Sequence, residues 1–390
     1  MPYKVMHVLG SLLPGGAELA LLRILSNWQD KNFSFSVCYT RDFDRLKPSF
    51  ENLDVPAIPL KWRNERDFYR IPMLSGLFRR ERPHIVHTHL WTGNYWIIAA
   101  ARLAGVPVVI ETIHDSFRQT AAGLILHKIL RPVFSLFIDR TIYVGSGVKS
   151  YILDKYIQSA GKAVVIYNGI EPEAPHYDTT ADMRHITPDV SEDKPVCITI
   201  ANLRPVKKGY EVYIDALKVL SERNSRDFHA VIIGESLPDF HGFLDDLKKM
   251  TVDYNLEKNV TFLGFRPDIH ELLTASDICV MPSIYEGGPI VVLEAMRAGK
   301  PVVATRTGAV SEYVVDGETG YLVEPGDSRA LADALEKMLG QPEKWKQMGE
   351  LGRERFLENF TIDKTVNSLT GLYYDLLEKK RAADGDKSKK

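Results

Sequence analysis

The chain has only three cysteines in 390 residues, Cys38, Cys197 and Cys279, far apart in sequence and each inside an apolar run. That excludes a disulfide framework or a cysteine metal site and leaves them as small buried hydrophobes in a reducing compartment. No apolar run is long enough to span a bilayer, and MPYKVMHVLG lacks a basic stretch followed by an apolar one and a cleavage site. The expected location is therefore cytoplasmic, with peripheral contact at the inner face of a membrane the one membrane relation left open. A net charge of −2 is too balanced for a nucleic-acid partner, and no short repeat marks a solenoid.

The chain holds 45% hydrophobic and 26% charged residues, a composition that fits two domains of ordinary size. Its charge is uneven. Residues 1–175 carry 21 Lys+Arg against 15 Asp+Glu, leaving 28 against 36 for the rest. A mildly basic first half suits an anionic partner, and simple drift of surface charge is the competing explanation.

Short β-branched runs alternate with helix-period segments along the whole chain, which is the pattern of βα units and a parallel sheet. Strands are expected near residues 3–9, 34–39, 85–89, 106–112, 140–144 and 163–166, and again near 196–201, 230–233, 260–263, 278–281, 301–304 and 320–323. Between these sets lies a polar, proline-punctuated stretch. The implied division is a domain over residues 1–170, a linker over 171–195 and a second domain over 196–360. A final amphipathic helix over 361–380 packs back toward the first domain, and 381–390 forms a disordered tail.

In open parallel sheets ligands bind beyond the carboxyl ends of the strands, so the loops there are where site residues are expected. GSLLPGGAE follows the first strand, and Gly15 and Gly16 let a ligand approach the backbone at the start of a helix. A glycine turn made only for packing is the alternative, and the dinucleotide pattern GxGxxG is absent. His114 ends the strand in VVIETIHDS. His87 and His89 alternate within IVHTHL and, with no third ligand nearby in sequence, pack a buried strand instead of holding a metal.

In the second half, NLRPVKKGYE follows a strand and clusters Arg204, Lys207 and Lys208, either a clamp for a diphosphate or a solvated basic loop. YEGGPIVVLEAMRAGKPVVA then places Glu286 and Glu294 eight positions apart across Gly287, Gly288 and Pro289. Proline suits a first helical turn and Gly299 a stop, so a helix is expected over about 288–298 with the N–H groups near Gly287 to Ile290 offered to an anion. The glutamate spacing alone says little; its position after a strand says more.

In these and neighbouring segments the chain resembles the family 4 glycosyltransferases over nearly its whole length. The resemblance rests on GGAE, VHTHL, TIHD, YNGI, NLRPVKKG, GFRPDI, the long ASDICVMPSIYEGGPIVVLEAMRAGKPVVAT and DGETGYLVEPGD. It implies the GT-B fold, two Rossmann-like domains facing each other across a cleft, and a retaining enzyme whose E-x7-E motif is Glu286 and Glu294. It further implies that Glu294 holds the ribose, Glu286 the donor sugar, and Gly287, Gly288, Pro289 and Ile290 sugar and phosphate. Arg204 and Lys208 neutralise the departing diphosphate, with Asn202 and Lys207 on the same loop, and the backbone around Arg266 reads the base. Gly15 and Gly16 meet the phosphate from the first domain, and His114 meets the transferred sugar. Two lysines precede Gly209 where the family has one, so the resemblance does not say which of them reaches the phosphate.

The expected activity is transfer of a sugar from a nucleotide diphosphate sugar, a UDP-sugar or GDP-mannose, to a hydroxyl of a glycan or lipid-linked precursor of a cell-surface polysaccharide. The donor is a substrate, and neither cofactor nor metal is expected; the one early DxD-like pair, Asp42 and Asp44, reads as a turn. Seven basic residues interleaved with apolar ones over Lys61 to Pro83 suggest an anionic lipid surface, or else an ordinary amphipathic helix. The rival functions are another GT-B activity, epimerase or phosphorylase, and a non-catalytic nucleotide-sugar binding protein.

Overall fold

A computed structural model of the protein describes residues 2–60, 70–89, 94–115, 121–155, 160–173, 190, 194–223, 228–236 and 240–387. The chain divides into two compact units, residues 1–169 with 362–390, and residues 170–361. Most of the stretch expected to be a linker, and residues 61–69 of the basic segment, lie outside the described residues.

The first unit is built on β1 (Tyr3–Leu9), β2 (Phe33–Tyr39), β3 (Ala57–Pro59), β4 (Ile85–Thr88), β5 (Val108–Ile113), β6 (Arg140–Tyr143) and β7 (Ala163–Val165). All pair in parallel in the order β3-β2-β1-β4-β5-β6-β7. Every residue of β4 and β5 is buried, because a parallel sheet is covered by crossover helices on both faces. β3 was not anticipated: it is three residues long and ends on a proline, which gives no readable alternation.

The helix Ile362–Lys387 belongs to this unit and runs past residue 380, where the sequence suggested a disordered tail. Leu369, Tyr373, Leu376 and Leu377 on it pack with Val5, Phe33, Ile85, Val108 and Ile110 of the sheet. That apolar stripe explains why the chain returns, since without it one face of the central strands would meet water.

The second unit contains β8 (Val196–Ile200), β9 (His229–Ile233), β10 (Val260–Gly264), β11 (Ile278–Met281), β12 (Val302–Thr305) and β13 (Gly320–Val323), parallel in the order β10-β9-β8-β11-β12-β13. In each sheet the strand order reverses once, between β1 and β4 in the first and between β8 and β11 in the second. Loops diverge at such switch points and leave a crevice beyond the strand ends. Cys38, Cys197 and Cys279 are free and buried in the two sheets, and burial pushes the Cys38 thiol up to about 12, so they are inert.

Candidate active site

At the switch point of the second unit the loop after β8 meets the loop after β11. Lys208 Nζ lies 2.6 Å from Glu286 Oε1, and Ser283 Oγ donates to the same oxygen at 2.9 Å. Burial alone would raise the Glu286 carboxyl, but the charges of Lys208 and Lys207 outweigh it and hold the group below its ordinary value. Glu286 is therefore an ionised carboxylate, 7% exposed, and the Lys208 side chain reaches it. Lys207 serves the loop through its backbone, its carbonyl accepting from the N–H groups of Ile284 at 2.8 Å and Tyr285 at 3.3 Å.

Two backbone features fix this junction. Gly209 caps the helix Tyr210–Glu222 at φ 66°, and a Cβ there would collide with the Pro282 carbonyl, so only glycine lets the loops touch. Val206, a β-branched residue, is held at φ 62°, with its N–H donating to Glu211 Oε1 at 3.2 Å. A non-glycine outlier of that kind stores strain where the surroundings over-determine the loop, often at a functional position.

The helix after Gly287 and Gly288 runs Ile290–Arg297, two residues later than expected at its start. Pro289 is its N-cap, with φ −68° and ψ 117°, instead of a first-turn residue: its extended ψ turns the chain into the helix without continuing it. The eight-residue helix opens toward the strand ends and carries Glu294 on its second turn, half-buried. Arg204 lies with its guanidinium 5.8 Å from the Phe240 ring centre, and Asn202 is exposed on the same loop. The Arg266 side chain is paired with Asp268 through two hydrogen bonds, one of 2.8 Å, which leaves the backbone there as the part able to contact a ligand.

The structure adds residues that carry no mark in the sequence. Ala309 N donates to the Gly287 carbonyl at 2.6 Å, and Gly308, at φ 53°, lies so close that a Cβ on it would be 2.5 Å from the Glu286 carbonyl oxygen. The neighbouring Thr307 Oγ1 is buried with no hydrogen-bond partner among the described residues. A short turn after a strand was the only signal available.

In the first unit Gly15 caps the helix Gly16–Ser26 in extended backbone, and a Cβ on Gly16 would meet no atom within 4 Å, so the chain is open at this point. Glu18 on the same turn is pushed up to about 7 by burial, offset in part by a hydrogen bond to its own backbone. His114 directly follows β5, and the structure adds a third histidine beside His87 and His89. His7, on β1, is the register partner of His87, and the ring nitrogens of His7, His87 and His89 lie within 4.8 Å of one another. The third histidine was absent from the neighbourhood in sequence and is supplied by strand pairing.

Two family models match the chain: "Glycosyltransferase Family 4" over residues 14–174 and "Glycosyl transferases group 1" over residues 185–355. The chain is a family 4 glycosyltransferase. Such an enzyme from Escherichia coli, UDP-Gal:alpha-D-GlcNAc-diphosphoundecaprenol alpha-1,3-galactosyltransferase, is 28% identical over 97% of this chain and 98% of that protein. A second relative, N-acetyl-alpha-D-glucosaminyl L-malate synthase of Bacillus anthracis, is 34% identical, but the match spans 48% of this chain and about half of that protein, 47%. Among solved structures, Anabaena Alr3699/HepE in complex with UDP superposes with a TM-score of 0.81, covering 95% of this glycosyltransferase and 100% of that chain at 22% identity. The two parallel-sheet domains are thus those of a GT-B glycosyltransferase. No helix among the described residues is long and apolar enough to cross a membrane.

Proposed function

We propose that this glycosyltransferase moves a sugar from a nucleotide diphosphate sugar, a UDP-sugar first, to a hydroxyl of a lipid-linked or glycan acceptor, with retention of configuration. The observation that carries the reading is the Lys208–Glu286 pair beside a helix N-terminus at the switch point of the second unit. Breaking a sugar–phosphate bond leaves negative charge on the departing diphosphate. Lys208, Arg204 and the N–H groups at the start of the Ile290 helix are preorganised to stabilise it.

In this proposal the second unit holds the donor. Glu286 orients the sugar hydroxyls, Glu294 the ribose, and the Gly287–Ile290 backbone the sugar and phosphate, with Asn202, Lys207 and the backbone at Arg266 completing the site. The first unit takes the acceptor, Gly15 and Gly16 approaching phosphate and His114 the transferred sugar. Retention follows if the acceptor hydroxyl attacks on the face the diphosphate leaves, passing its proton to the departing phosphate oxygen. The residues above supply this without assigning a step to any metal or cofactor.

The E. coli relative's name supports a UDP-sugar donor and a lipid diphosphate acceptor, and its match runs nearly end to end. The first unit adds a surface suited to a lipid-linked acceptor: Ile129, Val133, Leu136 and Phe137 are exposed along one helix face and its end. Arg102 Nε donates to the Phe137 carbonyl at 2.9 Å, which brings exposed Leu103 alongside, and Arg79 Nη2 donates to the Leu103 carbonyl at 2.8 Å. Apolar side chains ringed by arginines suit anionic headgroups and peripheral contact.

The test begins with melting-temperature shifts against UDP, GDP and ADP sugars, since a ligand bound only by the folded state raises the midpoint by mass action. A shift with one sugar, followed by transfer to a lipid-linked acceptor that Glu286→Gln and Arg204→Ala abolish, is the expected result. Undiminished turnover in both variants would overturn the site, and phosphate-dependent or acceptor-independent conversion of the donor would overturn transfer. Loss of salt-sensitive flotation with anionic liposomes would remove the lipid surface.

A further inference from the structure

The histidines at the switch point of the first unit form a ladder. His7 Nδ1 lies 2.9 Å from His89 Nε2, and His89 Nδ1 lies 2.9 Å from His114 Nε2. The rings are inclined by 31° at both steps, with centres 5.2 Å apart. His87 stacks on His89 at 4.4 Å but bonds elsewhere, to the Tyr373 hydroxyl and to Thr112 Oγ1, each at 2.7 Å.

These distances decide between a metal site and a hydrogen-bond ladder. Two imidazole nitrogens on one tetrahedral zinc, each about 2.0–2.1 Å from it, lie roughly 3.3 Å apart, farther than the 2.9 Å seen between His7 and His89. Both His87 nitrogens are already engaged with hydroxyls, and near-parallel rings do not point their lone pairs at one centre. Hydrogen bonding fits all of these contacts. Burial also keeps the rings neutral, lowering His7 to about 3 and His114 to about 4 and holding His87 and His89 well below an ordinary histidine.

A neutral imidazole carries one proton, and each link needs one donor and one acceptor. If His89 is protonated on Nδ1, it donates to His114 Nε2, so the His114 proton is on Nδ1; its own Nε2 then accepts from His7 Nδ1–H. If His89 is protonated on Nε2, both neighbours must carry their protons on Nε2 as well. The three rings therefore share one tautomer, and the two settings are not equivalent. At the inner end His7 Nε2 is buried with no partner among the described residues, an orphaned N–H in one setting and a bare lone pair in the other.

We infer that His89, backed by His7, is a positioning residue that locks His114 into a single tautomer and so fixes whether His114 Nδ1 offers a donor or an acceptor to its ligand. His114 Nδ1 has no partner among the described residues, and the ring borders a cavity of about 30 Å³ lined also by His87, His89, Thr112 and Tyr167. A hydroxyl of the transferred sugar meets either setting with its own proton oriented oppositely, so a mixed population of tautomers would leave part of the enzyme with the wrong hand. This rests on the reading above that His114 contacts the transferred sugar.

The experiment is long-range 1H–15N spectroscopy of the imidazoles in the full-length 15N-labelled protein, assigned by single substitutions, with kinetics on the same variants. The expected result is one and the same tautomer for His7, His89 and His114, and a mixed His114 in His89→Phe. With donor and acceptor, His89→Phe lowers kcat about tenfold or more at a KM changed less than about twofold. His89→Asn, which keeps a group in place of Nδ1, restores part of the rate. Different tautomers along the ladder, shifts of metal-bound nitrogen, or an unchanged His114 in His89→Phe overturn the proposal. The wild-type spectrum decides even where His89→Phe does not fold. It needs no substrate, so failure to find any sugar transfer would sink the functional reading and leave the ladder to be judged alone.

Discussion

Lys208 Nζ stands 2.6 Å from Glu286 Oε1, so the cation proposed for the diphosphate neutralises the carboxylate proposed for the sugar. Lys208 helps to keep the carboxylate charged, and the pair pins the loop after β8 to the loop after β11. Lys208→Met leaves Glu286 buried without its partner and is expected to cost about 3 kcal/mol at pH 7, measured by urea unfolding. Lys208→Met with Glu286→Gln should recover part of that loss, and equal destabilisation of single and double variants would show that the pair is not coupled. Because the folded carboxyl lies below its ordinary value of 4.5, its contribution is full above that pH and fades as pH falls further.

Val206 is strained beside this pair. Asparagine tolerates a positive φ better than a β-branched residue, so Val206→Asn is expected to stabilise the protein by about 1 kcal/mol. An unchanged urea m-value with a higher midpoint would confirm relief in the folded state. A lower midpoint would mean that the valine side chain contributes packing that outweighs its backbone cost.

Gly308 is expected to admit no side chain. Its φ of 53° and the closeness of the Glu286 and Gly287 carbonyls mean that Gly308→Ala must displace the loop bearing Glu286. Destabilisation of about 3 kcal/mol and loss of any nucleotide-sugar-induced melting shift are the predicted outcomes. Retention of that shift would show that the loop after β11 moves without consequence for the ligand.

His7 gives a pH dependence with a definite sign. Its folded value of about 3 lies below the ordinary 6.5, so as pH falls below 6.5 the unfolded chain takes up the proton first. The stability present above that pH is then eroded down to about pH 3, by roughly 2 kcal/mol at pH 5 for this one ring. Unfolding midpoints between pH 7 and 5 should fall less steeply in His7→Phe than in the wild type. Parallel slopes would mean that His7 is not held neutral in the folded protein.

Much of the architecture was legible along the chain because a parallel α/β unit is written locally. The run ETIHD ends a strand whether or not its neighbours are known, and the Gly-Gly-Pro stretch announces a helix entry even though its proline proved to be the cap. The failures have equally local reasons: Ala57–Pro59 is too short to show a period, and the amphipathic helix from Ile362 gives no sign of where it stops before Lys387.

What the residues alone determined was the alternation of strand and helix, the glycine-rich entries, and the supply of cations and glutamates after strands of the second half. They could not say that Lys208 turns to Glu286, or that His7 completes a set with His89, 82 positions away, and His114, 25 beyond that. Crossover connections decide such meetings. They set strands distant in sequence side by side in a fixed register, and side chains of matching parity on neighbouring strands then share one face, where burial strips their water and leaves hydrogen bonds to one another as the remaining way to satisfy them.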